Sequence, residues 1–307
     1  MMYLLLLIGF VLLIKGADLF VDGSSSIAGI LKVPSVIIGL TIVAMGTSAP
    51  EAAVSINAGL AGNSDISLGN IIGSNIFNLL VVIGACAVIF PADSHEDILN
   101  RDLWWNIIIS ALLFVLILDG QISRVEGLIL LAAFILYIGI MIRSALKNRV
   151  EEPQQDILPL WKSLLFVVLG LAAVVFGGDM VVDNASLIAK AWGMSDTLVG
   201  LTIVAIGTSL PELVTSITAS RKGDSGIALG NAVGSCLFNI MFILGIASTL
   251  TPINAVPELI IDAAILIAVT VLIFVVARTD KKTNRIEGII CVAAYIMMPG
   301  SKAPIEP

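Results

Sequence analysis

Histidine is all but missing from this chain: His95 is the one copy in 307 residues. It sits in the polar stretch PADSHEDILNR, where a solvated loop residue is expected, so histidine-based catalysis has almost no support. Cysteine is nearly as scarce. Cys86, Cys236 and Cys291 each fall within an apolar stretch and lack metal-ligand spacing, which argues against a zinc motif or a disulfide framework. Charge is thin as well, with 13% of residues charged against 58% hydrophobic. Ordinary soluble domains carry about 25% charged residues. The charge that remains leans acidic, net −7 with a pI near 4.7, which argues against a nucleic-acid partner.

What the chain has is apolar length. Mean hydropathy is +1.06. Mostly apolar windows of about 18 residues or more recur along it, the pattern of an all-α polytopic membrane protein whose solvent is the lipid bilayer. The alternating short strands of a membrane β-barrel are not seen. The first apolar run lacks a basic leader and a small-residue cleavage site, and is expected to be a retained helix. Ten transmembrane helices are expected near 2–31, 35–59, 66–90, 102–118, 125–146, 160–191, 196–220, 226–250, 258–277 and 286–299. The longest polar connection, KNRVEEPQQDILP, separates two sets of five.

Those two sets repeat each other. Gly39 to Asn78 reads GLTIVAMGTSAPEAAVSINAGLAGNSDISLGNIIGSNIFN, and Gly200 to Asn239 reads GLTIVAIGTSLPELVTSITASRKGDSGIALGNAVGSCLFN, 161 residues on and without a gap. Extended to 16–91 against 177–252, the match is about 33 identities in roughly 76 positions, far above chance. Asp119/Asp280, Arg124/Arg285, Glu126/Glu287 and Gly127/Gly288 keep the same offset. The expected organisation is a first repeat over 1–147, a cytoplasmic linker over 148–159 and a second repeat over 160–307. Five helices is an odd number, so the second repeat must enter from the opposite side. Inverted repeats of this kind place a binding site near the midplane where the halves meet.

Basic residues test that parity. With the N-terminus outside, Lys32, Arg101, Arg143, Lys147, Arg149, Lys162, Arg221, Lys222, Arg278, Lys281, Lys282 and Arg285 fall at cytoplasmic ends. Arg124, Lys190 and Lys302 fall outside, and Lys15 lies within helix 1. A bias of about 12 to 3 follows the positive-inside rule. A multi-pass protein of the cell membrane with its central loop in the cytoplasm is therefore expected.

The chemistry is concentrated in the repeated motif. Pro50 lacks an amide hydrogen, so the helix should break beside Gly46 and free carbonyl oxygens in mid-membrane; Pro211 does the same beside Gly207. Glu51 and Glu212 sit midway along their helices. A carboxylate at that depth costs several kcal/mol unless it is paired, protonated or bound to a cation. No Lys or Arg falls at a comparable depth in the neighbouring spans, which favours a cation over a structural ion pair. Helical spacing puts Thr47, Glu51 and Ser55 on one face, and Asn70, Ser74 and Asn78 on another. The second copy offers Thr208, Glu212 and Ser216, then Asn231, Ser235 and Asn239. Carboxylates, carbonyls, hydroxyls and amides make an all-oxygen cage, suited to Na⁺ or Ca²⁺ rather than zinc or copper. Two bidentate glutamates and two threonine carbonyls would supply about six oxygens, within calcium's usual range.

Bland roles compete for several of these residues. Asn70 and Asn231 fit interhelical hydrogen bonds as well as they fit a site. Gly69 with Gly73, and Gly230 with Gly234, are small-residue packing faces first. Asp18 with Asp22, and Asp179 with Asp183, read as polar contacts near a membrane face before they read as a gate or an ion-entry site, and Lys15 can pair with Asp18. Cys236 reads as a small packing residue.

GTSAPE with GNIIGSNIFN, and GTSLPE with GNAVGSCLFN, resemble the two α-repeats of the sodium/calcium exchanger family, in its prokaryotic calcium/sodium antiporter branch. The resemblance covers essentially the whole chain. It implies a secondary active antiporter that exchanges Na⁺ for Ca²⁺ by alternating access, with no enzymatic activity and no cofactor beyond the transported ions. It makes Glu51 and Glu212 shared ligands of both ions and gives Thr47 and Thr208 main-chain oxygens. Ser48, Ser209, Ser74, Ser235 and the carbonyls of Ala44 and Ala205 would complete flanking Na⁺ sites. Asn78 and Asn239 would line the centre. Some members carry aspartate at one or both of these last positions; asparagine at both leaves two carboxylates and argues against K⁺ dependence. Family members slide long helices 1 and 6 over a fixed core, and Gly16, Gly177 and Gly178 are the expected flex points. A single chain is expected to suffice. Ca²⁺/H⁺ exchange on the same fold is the nearest rival, then a passive cation channel. An intramembrane hydrolase at Gly46-Thr47-Ser48 lacks a histidine or lysine base.

Overall fold

The computed structural model describes residues 1–93, 98–147, 157–195, 199, 203–279 and 282–298. His95, most of the central linker, Gly200 and Asp280 lie outside the described residues. The described residues are helical apart from two-residue strands and the turns between elements. In order the helices are α1 (Met2–Leu31), α2 (Ser35–Thr47), α3 (Ala49–Leu60), α4 (Ser64–Ile89), α5 (Ile98–Leu116) and α6 (Arg124–Lys147). The second half follows as α7 (Leu160–Ala191), α8 (Ala205–Gly207), α9 (Leu210–Arg221), α10 (Ser225–Leu250), α11 (Pro257–Thr279) and α12 (Arg285–Met297). Each element of the first half has a counterpart in the second. Among the described residues seven helices are long and apolar enough to cross a membrane, or eight if the bent pair α2 and α3 counts as one span. The many exposed leucines, isoleucines and valines on α1, α6, α7 and α12 give the chain a lipid-facing surface. It is a multi-pass membrane protein.

α1 and α7 pack against each other along their length. The order of contacts fixes their direction: Gly9 lies against Gly177, Gly16 against Gly170, and Gly23 against Ser163. Numbers rise on one helix as they fall on the other, so the two run antiparallel. A methyl group added at Gly170 would collide with the Phe20 backbone nitrogen, which explains why no side chain is there. The strands obey the same exchange. β1 (Ala92–Asp93) pairs antiparallel with β4 (Lys282–Thr283), and β2 (Gln121–Ile122) pairs with β3 (Ile253–Asn254). Shifting Ala92↔Thr283 by the repeat offset and swapping halves gives Ile253↔Ile122, which is the observed register.

The core lies between α4, α5, α6, α10 and α11, around Leu68, Ile72, Leu80, Leu113, Val233, Ile240 and Leu244. Gly230 and Gly234 bring α10 onto the backbone of α2, against the Val36 carbonyl and the Leu40 Cα. The small-residue face expected in the second copy is therefore in use. The counterparts of those α2 contacts fall outside the described residues. One buried group was not foreseen. Asp102 is fully buried at the start of α5, held by the Arg101 guanidinium at 2.8 and 3.0 Å and by the Tyr137 hydroxyl at 3.1 Å. The sequence places Asp102 at the edge of an apolar run, and nothing in its spacing announces the burial. The expected start of that helix at 102 falls four residues inside the observed one.

Candidate cation site

The apolar run of 35–60 breaks at Ser48 (φ −79°, ψ 12°), and α2 and α3 meet there at 51°. Pro50 is in the first turn of α3, where a missing N–H costs nothing. Ser209 (φ −93°, ψ 7°) occupies the same place ahead of α9. The break occurs where expected, but its carbonyls are less free than expected. Backbone N–H groups at the Ser48 cap return to the carbonyls of Ala44 and Gly46, so a tightened turn satisfies part of the break.

The break puts each glutamate in the first turn of a new helix, with its side chain fully buried. The Ser209 hydroxyl donates to Glu51 Oε1 at 2.9 Å, and the Ser48 hydroxyl donates to Glu212 Oε1 at 2.9 Å. Each acid is thus held by the serine of the other half. Ser74 adds a longer contact to Glu51 Oε1 at 3.4 Å. The second carboxylate oxygens, Oε2 of Glu51 and Oε2 of Glu212, have no hydrogen-bond partner among the described residues. Neither acid has a salt bridge there.

Other unpartnered atoms accompany them. Thr208 Oγ1, Asn239 Oδ1 and both amide atoms of Asn78 are buried without hydrogen-bond partners. Thr47 differs from its counterpart Thr208: its hydroxyl donates to Asn231 Oδ1 at 3.0 Å. Ser235 reaches the Ala44 carbonyl at 3.5 Å. The Ala205 backbone lies in α8, in the position equivalent to Ala44. Asn78 and Asn239 each begin a π-helical turn, at Asn78–Val82 and Asn239–Leu244. Such widened turns are frequent at functional sites, and nothing in residue spacing announces them.

Asn70 and Asn231 act as ties. Asn70 Nδ2 donates to Ser55 Oγ at 2.9 Å and to the Glu51 carbonyl at 3.4 Å. Asn231 Nδ2 donates to Ser216 Oγ at 3.0 Å and to the Glu212 carbonyl at 3.3 Å. The structure therefore uses Ser55, Asn70, Ser216 and Asn231 to fix α4 to α3 and α10 to α9, behind the carboxylates. Asn75 was overlooked. It is fully buried, donates to the Cys236 carbonyl at 3.1 Å and accepts from Asn239 at 3.0 Å. Cys236 is its own counterpart by the repeat offset, and the two touch. The mismatch between GSNIFN and GSCLFN, two otherwise near-identical motifs, was the available clue. Cys236 is more than filler, since its Sγ also lies 3.7 Å from the Asn75 carbonyl.

The family described as "Sodium/calcium exchanger protein" matches residues 1–143 and again 162–298. The chain belongs to the sodium/calcium exchanger family. It is similar to the sodium/calcium exchanger MaX1 of Methanosarcina acetivorans, 32% identical in an alignment that covers 96% of each chain. It is also similar to the inner membrane protein YrbG of Escherichia coli, 36% identical over 262 residues, 81% of this chain and 79% of that one. Among solved structures, the sodium-calcium exchanger NCX_Mj soaked with Na⁺ and Sr²⁺ superimposes with a TM-score of 0.85 at 33% identity, over 96% of this chain and 98% of the other.

Proposed function

We propose that this exchanger-family chain is a secondary active antiporter that moves Ca²⁺ against Na⁺ by alternating access. One observation carries the reading: Glu51 and Glu212 are buried together with an unpartnered oxygen each and no basic side chain to neutralise them among the described residues. Two such carboxylates in low dielectric call for a divalent ion or for monovalent cations. The remaining unpartnered oxygens, on Thr208, Asn78 and Asn239, suit a hard cation. Ser48, Ser209, Ser74, Ser235 and the carbonyls of Ala44 and Ala205 are assigned to flanking Na⁺ positions, and the Thr47 and Thr208 main chains to the centre.

In this reading the chain is ten crossings arranged as two inverted repeats, 1–147 and 160–307, joined by a cytoplasmic linker. The antiparallel run of α1 and α7 and the swapped strand pairings support it. The N-terminus is outside, as the basic residues argue. The ions compete for one cage. Only a neutralised site crosses cheaply between the two access states, so exchange is obligatory.

The test is counter-ion-resolved flux in reconstituted vesicles. Ca²⁺ uptake should follow an outward Na⁺ gradient with a protonophore present, and Glu51→Gln or Glu212→Gln should abolish it in a folded protein. Uptake driven by protons but not Na⁺ would establish the Ca²⁺/H⁺ rival. Ca²⁺ flux without any counter-ion would establish a channel.

A further inference from the structure

The halves repeat in sequence, yet their equivalent surfaces differ in structure. α1 packs along α9, with Val214 of α9 joining Leu13, Ala17 and Val174. The counterpart pair, α7 and α3, has at most slight contact among the described residues. Exposure follows: Thr215 and Thr218 are buried, whereas their counterparts Val54 and Asn57 are exposed.

The packed side carries polar ties. Lys222, just beyond α9, sets its Nζ 2.6 Å from Asp22 Oδ1 and 3.8 Å from Asp18 Oδ1, and donates to the Asp18 carbonyl at 3.0 Å. Two residues on, Asp224 Oδ2 accepts from the Ser25 hydroxyl at 2.7 Å while its Oδ1 caps α10 by accepting the Ile227 N–H at 3.0 Å. Asp18, Asp22 and Ser25 lie on one face of α1 by helical spacing. That face is therefore fastened at three points to the turn between α9 and α10. The other half lacks the parts. Ala61 stands where Lys222 does, and Asn63 where Asp224 does. Asp179 and Asp183, counterparts of Asp18 and Asp22, have no salt bridge among the described residues. Ser186, the counterpart of Ser25, is half-buried, and its enclosed hydroxyl has no hydrogen-bond partner among the described residues.

We propose that Lys222 with Asp18 and Asp22, and Asp224 with Ser25, form a one-sided latch that holds the cation site shut toward the Lys222 face. The two access states are then unequal by construction, because the twofold-related surface has no such latch. This rests on the alternating-access reading above.

Thiol labelling of the full chain tests it. Thr218→Cys places a thiol one turn before Lys222 on the same face of α9, and Asn57→Cys is its counterpart; Cys86, Cys236 and Cys291 are buried. In reconstituted vesicles, Lys222→Ala and Asp22→Asn should each raise labelling of Thr218→Cys by an impermeant maleimide by about two- to five-fold, the range of a partly exposed ion pair. Labelling of Asn57→Cys should fall. The exchange of Lys222→Asp with Asp22→Lys should return both rates toward the parent, which a misfolded protein would not do. Unchanged labelling in the single variants, or a swap that labels like them, overturns the latch. Labelling does not depend on transport. Latch-dependent labelling without ion exchange would refute the exchange assignment alone, and normal exchange with latch-independent labelling would refute the latch alone.

Discussion

Ser209 donates its hydroxyl to Glu51 Oε1 across 2.9 Å, although the two residues are 158 apart in the chain. Ser48 and Glu212 repeat the arrangement at 2.9 Å from the opposite halves. Each half thus supplies the acid of one position and the hydroxyl of the other, so neither repeat holds a complete site. The hydroxyl also aims one carboxylate oxygen, leaving the other, Oε2, unpartnered.

The exchange of partners gives a first prediction. Ser48→Ala and Ser209→Ala each remove a hydrogen bond to a charged group, worth about 1.5–3 kcal/mol. Apparent cation affinity should fall by roughly ten-fold or more in each variant, by similar factors. The check is ion-dependent flux or calorimetric titration. An unchanged affinity in both would remove the serines from the site.

Cation binding should be visible in stability. The carboxyl pair lacks a basic partner, so the cation-free protein buries two acidic groups that no cation compensates. Calcium at about 100 times its dissociation constant should add about 2.7 kcal/mol and raise the melting temperature, and a chelator should reverse this. Glu51→Gln and Glu212→Gln should melt higher than the parent in chelator, because one of two buried ionisable groups is gone, and should no longer respond to calcium. Thermal denaturation in detergent reads both effects. A calcium response retained by both variants would place the ion elsewhere.

Much of this arrangement was legible in the sequence. The gap-free repeat, the prolines that interrupt it and the mid-helix glutamates predict a broken helix around Ser48 and acids just beyond it, and both are present. What stayed hidden depends on contacts between distant segments. Spacing places Asn70 and Ser74 on one face, but it does not say that Asn70 turns back to hold the Glu51 backbone while Ser74 reaches its carboxylate. The contact of Asn75 with Cys236 arises from packing α4 against α10, and the π turns at Asn78 and Asn239 have no signature in residue spacing. Asp102 was missed because its partner Tyr137 is a helix away in sequence.

Close packing gives a third prediction. A Cβ at Gly234 would lie 2.7 Å from the Leu40 Cα, and the nearest atoms are backbone, which cannot swing aside. Gly234→Val should push α10 off α2 and cost about 1–3 kcal/mol or more by overpacking. Because α10 carries Ser235 and Asn239, cation affinity should fall along with stability. A melting curve and a binding isotherm on the same sample test the coupling. Loss of stability with affinity intact would separate the packing face from the site.

Protons offer the last prediction. The unpartnered Oε2 atoms of Glu51 and Glu212 are positions where a proton and a cation compete. A proton neutralises a buried carboxylate as a cation does, and more of it is bound as pH falls. Each bound proton must leave before calcium can use both oxygens, so apparent calcium affinity should weaken with acidification and strengthen toward alkaline pH. Acid-driven unfolding would weaken binding in the same direction, and a loss of folded protein distinguishes it from competition in the cage. Affinity measured across the range, with folding monitored at each point, makes the comparison. An affinity that does not change down to about the free glutamate value of 4.3 would mean that the two carboxylates do not bind the ion.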